Sequence, residues 1–253
     1  MIDLHSHLLP SVDNGSRSVA QSVKVMKNMA AHGVTDVCLT PHMRASLLGG
    51  PPPGTHEEAF AALEAAAPPA PRLHRGAEVM LDRPLPVGGT QLRRYTIGGT
   101  RWLLVEFPRM VAYDTVNIAL GRVVKAGLFP LLAHPERYTC CSPEAVSRWR
   151  EMGAAMQVDA TTLLSPQSRG QRARALVAAG LADILAADNH GDDRMIVTGR
   201  RFLEAQDGGE QAELLTVLNP QAILSDKPVQ SVRPVEIRRT WMQKLRQLLE
   251  GTE

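Results

Sequence analysis

Aromatic side chains are scarce: Phe, Trp and Tyr make up 4% of the 253 residues. That argues against a base-stacking nucleic-acid surface. Cysteine is scarce as well, limited to Cys38, Cys140 and Cys141. The number is odd and two are adjacent, which argues against a secreted disulfide framework. No apolar run reaches the roughly 18 residues of a membrane span. Neither charge sign dominates: 28 Lys and Arg stand against 26 Asp and Glu, a net of +2. Charge alone therefore gives no attraction to polyanions or membranes. The opening MIDLHSHLLP lacks the basic and apolar segments of a secretory leader. The expectation is a cytoplasmic chain with no nucleic-acid partner and no membrane insertion.

What is present is ordinary for a globular chain, with 44% hydrophobic and 21% charged residues. Length alone allows two domains, but α/β barrels reach this size as one. A single domain over residues 1–253 is expected. Seven short apolar runs recur, at residues 2–4, 35–39, 73–77, 102–105, 129–133, 155–158 and 183–186. Stretches of helical character separate most of them. In residues 18–31, Val19, Val23, Met26 and Ala30 fall near one face at a 3.6-residue period, and Gly33 follows as a stop. Gly127, Gly153 and Gly180 follow residues 116–126, 145–152 and 172–179 in the same way. Repeated strand, helix and glycine predict βαβ units and a parallel sheet. Seven repeats predict a closed or nearly closed α/β barrel; a doubly wound open sheet is the alternative. Residues 47–55 and 67–71 read as loop and stiff connector. A tail over about residues 235–250 reads as a basic amphipathic helix docked on the barrel.

Metal-ligand residue types fall at the carboxyl ends of these runs. His5 and His7 follow the first, His42 the second, and Glu78 the third. Glu106, His134 and Asp159 follow the next three, and Asp188 and His190 the last. In a parallel barrel those ends share the face that carries the active site. Five of the eight histidines converge there. Residues i and i+2 of a strand point the same way, so His5 and His7, or Asp188 and His190, suit one ion or adjacent ions. Mixed imidazole and carboxylate donors fit Zn²⁺, Mn²⁺ or Fe²⁺, and paired ions suit phosphoryl transfer. Arg137, Arg194 and Arg44 lie two to four residues from these ligands, and arginine forks match phosphate oxygens. His32, His56 and His74 fall in helix-end or loop contexts and are expected to be solvated. Cys38 reads as core. A cysteine phosphatase needs Cys, five residues, then Arg; Arg148 is off by one from Cys140 and Cys141.

The segments MIDLHSHLLPSVDNG, TPHMR, GAEVM, RWLLVEFP, LLAHPERY, AADNHGDDR and LNPQAIL run almost end to end. They resemble the PHP (polymerase and histidinol phosphatase) superfamily. Within it they are most similar to the bacterial manganese-dependent protein-tyrosine phosphatases of capsule and exopolysaccharide clusters. The resemblance implies a distorted seven-stranded (β/α) barrel with two or three divalent ions. Mn²⁺ comes first, with Fe, Zn, Co and Mg as alternatives. Carried over by position, the ligands are His5, His7, His42, Glu78, Glu106, His134, Asp188 and His190. Arg137 and Arg194 then bind phosphate, and His42 or Asp188 donates the proton. The implied partner is the phosphotyrosine tail of a membrane-associated tyrosine kinase of polysaccharide synthesis; an oligomer is compatible. Two positions depart from the family pattern. Asn14 stands where a second acid follows Asp13, and Asp159 stands where Asn is usual. The expectation is that Asp159 supplies the carboxylate Asn14 lacks. Two alternatives keep the fold: a phosphatase for a small monoester such as histidinol phosphate, and a catalytically inactive regulatory barrel.

Overall fold

The computed structural model describes residues 1–85 and 88–238. The strands are β1 (Ile2–Ser6), β2 (Asp36–Leu39), β3 (His42–Arg44), β4 (Arg72–Arg75), β5 (Glu78–Met80), β6 (Trp102–Glu106), β7 (Phe129–Ala133), β8 (Ala155–Asp159) and β9 (Ile184–Ala186). Helices α1 (Val19–Ala31), α2 (Gly54–Ala66), α3 (Gly89–Leu92), α4 (Tyr113–Lys125), α5 (Pro143–Glu151), α6 (Ser168–Ala178), α7 (Ile196–Glu204), α8 (Gly209–Glu213) and α9 (Asn219–Leu224) lie between and after them. The tail helix expected over residues 235–250 falls, beyond residue 238, outside the described residues.

Local chemistry accounts for the helix ends. The Ser18 side chain accepts from Gln21 N at 3.2 Å and starts α1. Ser142 does the same for α5, with Pro143 in the first helical position. Gly33 and Gly127 stop their helices at φ +81° and +78°, a region that costs a side-chain-bearing residue energy.

All strand pairs are parallel, in two sheets ordered β1-β2-β4 and β3-β5-β6-β7-β8-β9. Nine strands replace seven apolar runs because a further short strand follows each of the second and third: β3 lies beyond residues 35–39 and β5 beyond residues 73–77. Thr40 and Pro41 separate β2 from β3, and proline has no N–H for a ladder. Gly76 and Ala77 separate β4 from β5. A Cβ on Gly76 would lie 3.0 Å from Cys38 Sγ and 3.2 Å from Ile97 Cδ1, so the chain passes close there. Of these strands, β2 pairs with β1 and β4 with β2, whereas β3 and β5 join the six-stranded sheet. The outer edges of the two sheets also meet. Ser6 and Asn189 form an isolated parallel bridge, and His7 N donates to Asn189 O at 2.7 Å. Buried Asp3 accepts from Ala187 N at 3.2 Å across the same seam.

Alternation along the strands divides the core. Leu103 and Val105 of β6 join the larger cluster with the helices. Trp102 and Leu104 join a smaller cluster with Ile2, Leu4, Leu131 and Ile184, closed by Ile97 and Ile223. Strand carboxyl ends then carry polar residues: His5, Glu106, Asp159 and Asp188 are all buried there or just beyond.

Candidate metal centre

Glu78 is the hub. Its Oε2 lies 3.3 Å from both His5 Nε2 and His7 Nε2, and 3.2 Å from His42 Nε2. Its Oε1 accepts from or faces His134 Nε2 at 2.8 Å. Asp188 Oδ1 sits 3.4 Å from His5 Nε2 and 3.2 Å from His7 Nε2, and those two nitrogens are themselves 3.2 Å apart. Neighbouring donors around an ion held at about 2.0–2.2 Å stand about 3–3.5 Å apart. The donor set fits that spacing.

Four groups of potential ligands result: His5, Glu78 and His134; His5, His7 and Asp188; His7, Asp13 and His42; and His42, Glu78 and Glu106. They bring together seven of the eight residues expected as ligands. His190 stands outside the groups, its ring centred 4.1 Å from that of His7 and tilted by 35° to it, and its Nδ1 2.9 Å from Asp188 O. Asp188 does not share an extended strand with it, because Asp188 turns to φ +48°. His134 takes φ +32°. Non-glycine residues there carry roughly 1–3 kcal/mol of strain, which surrounding structure must hold. Both bends occur just past a strand end, where a ligand has to turn inward.

Electrostatics points to cations. Burial opposes a charge on His5, yet Glu78 and Asp188 outweigh it and lift the imidazole to about 9. His7 is raised well above its ordinary value against burial by hydrogen bonds to Asp13, Asp188 and Glu78. Despite their burial, Glu78 and Asp188 are held well below the usual carboxylate range, chiefly by His5. Burial and the neighbouring Glu78 push Glu106 up to about 8. Glu106 Oε1 is buried without a hydrogen-bond partner, 3.8 Å from His42 Nε2. The His5 and His7 imidazoles are thus drawn toward the charged form where a divalent ion would take the place of their protons, and the orphaned Glu106 oxygen belongs to the group with His42 and Glu78.

Arg137 and Arg194 converge on Asp188. Arg137 Nη2 donates to Asp188 Oδ2 and, at 2.9 Å, to Asp159 Oδ2. Arg194 Nη1 lies 3.6 Å from Asp188 Oδ2 while its Nη2 pairs with Asp192 at 2.8 Å. Asp159 is therefore an arginine partner rather than a member of any ligand group. Its Oδ1 accepts from Thr161 N, Thr161 Oγ1 and Thr162 N. Asn14 is exposed, and no carboxylate of Asp159 replaces it. Arg44 ends β3, exposed and outside the groups. His74 corrects another expectation: it lies in β4, and its Nε2 is 2.9 Å from Asp36 Oδ1. His32 and His56 lie at the end of α1 and the start of α2, as expected.

Two residues escaped the sequence reading. Asp13 Oδ2 is 2.8 Å from His7 Nδ1, 3.3 Å from His42 Nδ1, and accepts from His42 N at 3.1 Å. Gln157 Oε1 accepts from His5 Nδ1 at 2.9 Å, so His5 Nε2 faces the centre. Asp13 left a signal in the sequence and Gln157 did not. Asp13 follows His7 in one loop, and Gly15 closes that loop where a Cβ would lie 2.0 Å from His7 O. Gln157 precedes Asp159 by two on β8.

The family model described as "Capsular polysaccharide synthesis, CpsB/CapC" matches residues 1–225. The chain belongs to this family. It is 26% identical over 241 residues to the tyrosine-protein phosphatase CpsB of Streptococcus pneumoniae, covering 90% of this chain and 99% of that one. It is 24% identical over 253 residues to the tyrosine-protein phosphatase YwqE of Bacillus subtilis, covering 94% and 97%. The solved structures of YwqE and CpsB, described as unique metal-dependent tyrosine phosphatases, align with a TM-score of 0.75 at 23% identity. They cover 94% of this chain and 100% of that one. The CpsB/CapC fold is thus shared over nearly the whole described chain.

Proposed function

We propose that this chain is a metal-dependent protein-tyrosine phosphatase. One observation carries the reading: four ligand atoms from His5, His7, Glu78 and Asp188 stand at metal-shell spacing with two arginines on the same carboxylate. The ligands are His5, His7, His42, Glu78, Glu106, His134 and Asp188, with His190 beside them and Asp13 behind the His7 and His42 rings. The names of the CpsB and YwqE relatives support tyrosine phosphate as substrate. The family description supports polysaccharide synthesis as the setting, with the phosphotyrosine tail of a membrane-associated kinase as partner. We read the ions as two or three, Mn²⁺ first, and the location as cytoplasmic. No helix among the described residues is long and apolar enough to cross a membrane. The two sheets read as one domain and one distorted seven-stranded barrel, β2 with β3 and β4 with β5 each counting as one broken strand. The Ser6 and Asn189 bridge supports closure.

Bound divalent ions supply positive charge at the phosphate and acidify water. The protein does the rest. Arg137 and Arg194 neutralise charge on the phosphate oxygens as it grows. Gln157 and Asp13 fix the His5 and His7 rings. Both Asp188 oxygens are engaged by His5, His7 and the two arginines. His42, 36% exposed, is the more accessible of the two residues expected as proton donors, but its Nδ1 meets Asp13 and its Nε2 faces Glu78, so neither nitrogen is free to donate. A tyrosine leaving group, with a pKa of about 10, can take its proton from water instead.

The test is the initial rate of phosphate release from a phosphotyrosyl peptide, beside histidinol phosphate, in Mn²⁺ with and without EDTA. A fast, EDTA-sensitive rate on the peptide is expected. Turnover of histidinol phosphate alone would move the chain to a metabolic role. Metal-free protein inactive on both would leave a regulatory barrel.

A further inference from the structure

The arginines assigned to the scissile phosphate come from β7 and β9. Another set lies across the mouth. Arg44 ends β3, Arg83 follows β5 by three residues, and Arg109 follows β6 by three. These strands are consecutive neighbours in the sheet, in the order β3-β5-β6-β7. Arg44 is two residues past His42 on the same strand, so both leave the same face, with Arg44 further out. Arg109 is tied to the mouth through its carbonyl, which accepts from Thr139 N at 3.0 Å, two residues past Arg137. All three arginines are exposed, and none makes an ion pair among the described residues. The loops over residues 45–53, 81–88 and 107–112 hold one acid, Asp82.

Neighbouring strands lie about 4.8 Å apart, so the arc from Arg44 to Arg109 spans about 10 Å, or about three residues of extended peptide. Apolar contacts flank it: Leu47 is 57% exposed and Met110 77%. Arg83 also borders a pocket of about 170 Å³, shared with Arg122 and floored by Leu81 and Ile118. Guanidinium groups on a rim of this kind attract carboxylates and steer an anionic peptide to the site.

We propose that the arc of Arg44, Arg83 and Arg109 reads acidic side chains flanking the target phosphotyrosine, so that the preferred substrate is an anionic peptide. This rests on the phosphotyrosine reading above. Because the arc occupies one side of the mouth, the acids count on one side of the phosphotyrosine, within about three residues.

The experiment uses the full chain and three phosphotyrosyl peptides. One carries Asp and Glu on the amino side, one on the carboxyl side, and one carries Gln on both. Each peptide is also made with a non-hydrolysable phosphonate and its binding followed by fluorescence anisotropy. One acidic peptide should exceed the Gln peptide by about tenfold in kcat/KM and in affinity, the advantage shrinking as salt rises. In the Arg44→Ala/Arg83→Ala/Arg109→Ala variant that ratio should fall to near one. Equal kcat/KM for all three peptides overturns the proposal and leaves the phosphatase reading intact. A ratio that survives the triple substitution also overturns it. If no peptide is turned over, the phosphatase reading fails, and the phosphonate binding ratios still decide the role of the arc.

Discussion

Asp13 does more in this centre than its place in a loop announces. Its Oδ2 meets His7 Nδ1 at 2.8 Å and His42 Nδ1 at 3.3 Å, and its Oδ1 accepts from Gly15 N at 2.9 Å. One carboxylate therefore aims two imidazoles and fixes the turn that carries it. Partners of this kind typically change metal affinity or activity by about 10–100-fold when removed. Asp13→Ala should raise the Mn²⁺ concentration for half-maximal activity by that factor, with a smaller rise for Asp13→Asn, which keeps one acceptor. A metal titration of phosphatase rate checks both; an unchanged midpoint in Asp13→Ala would show that the rings are held by other means. At this scale the sequence was most legible where chemistry repeats. His5, His7, Glu78, Glu106, His134 and Asp188 were readable because each follows an apolar run. Gln157 was not, since an amide at a strand end has no signature until His5 Nδ1 is found 2.9 Å away. Asp159 misled for a related reason: its residue type fits a ligand, and only the fold shows Arg137 and the Thr161 turn taking its oxygens.

Elements were legible in type and misjudged in number. The periodicity and glycine stops placed α1 and α5 to within two residues, as local rules do. The short strands β3 and β5, beyond Pro41 and Gly76, were hidden, because three-residue segments carry no sign of strand or of the sheet they will join. The join between β2 and β4 carries its own charge. Asp36 on β2 accepts from Arg72 Nε at 2.9 Å and sits 2.9 Å from His74 Nε2, both on β4. Burial raises the Asp36 pKa, but hydrogen bonds from Arg72 and His74 outweigh it and leave the pKa lowered. A carboxyl whose folded pKa lies below its unfolded value of about 3.9 stabilises the fold above that value and loses the effect as pH falls through the folded one. Arg72 is 74% exposed, so solvent screening keeps the gain small. Asp36→Asn should lower the urea midpoint at pH 7, and the difference should shrink as pH falls below the ordinary carboxylate value toward the lowered folded one. A gap that does not shrink on acidification would assign the loss to packing rather than charge.

Across the whole molecule, the candidate ligand set ties together parts that backbone ladders leave separate. His5 and His7 come from the end of β1, in the three-stranded sheet. His42, Glu78 and Glu106 come from the six-stranded sheet, His134 from just past β7, and Asp188 from the turn after β9. Between the two sheets at β9 the described backbone offers one isolated bridge and the Asp3 contact. Without ions the buried carboxylates and imidazoles stand 3.2–3.4 Å apart as pairs of opposite charge, which divalent ions would replace. Ions that bind the folded chain and not the unfolded one stabilise it by about 2.7 kcal/mol at a hundredfold excess over Kd. For a chain of this size about 1 kcal/mol moves Tm by about 2–4 °C. EDTA should therefore lower Tm by about 5–10 °C, and Mn²⁺ should restore it. Glu78→Gln removes the charge from the hub of the centre, so its Tm should respond weakly to either reagent. Calorimetry separates the outcomes. A Tm indifferent to both EDTA and Mn²⁺ in the unsubstituted protein would mean that the buried cluster holds no ion, and the two sheets would then be joined by their shared core, the seam at Asp3 and Ser6 and the cluster's own charge pairs.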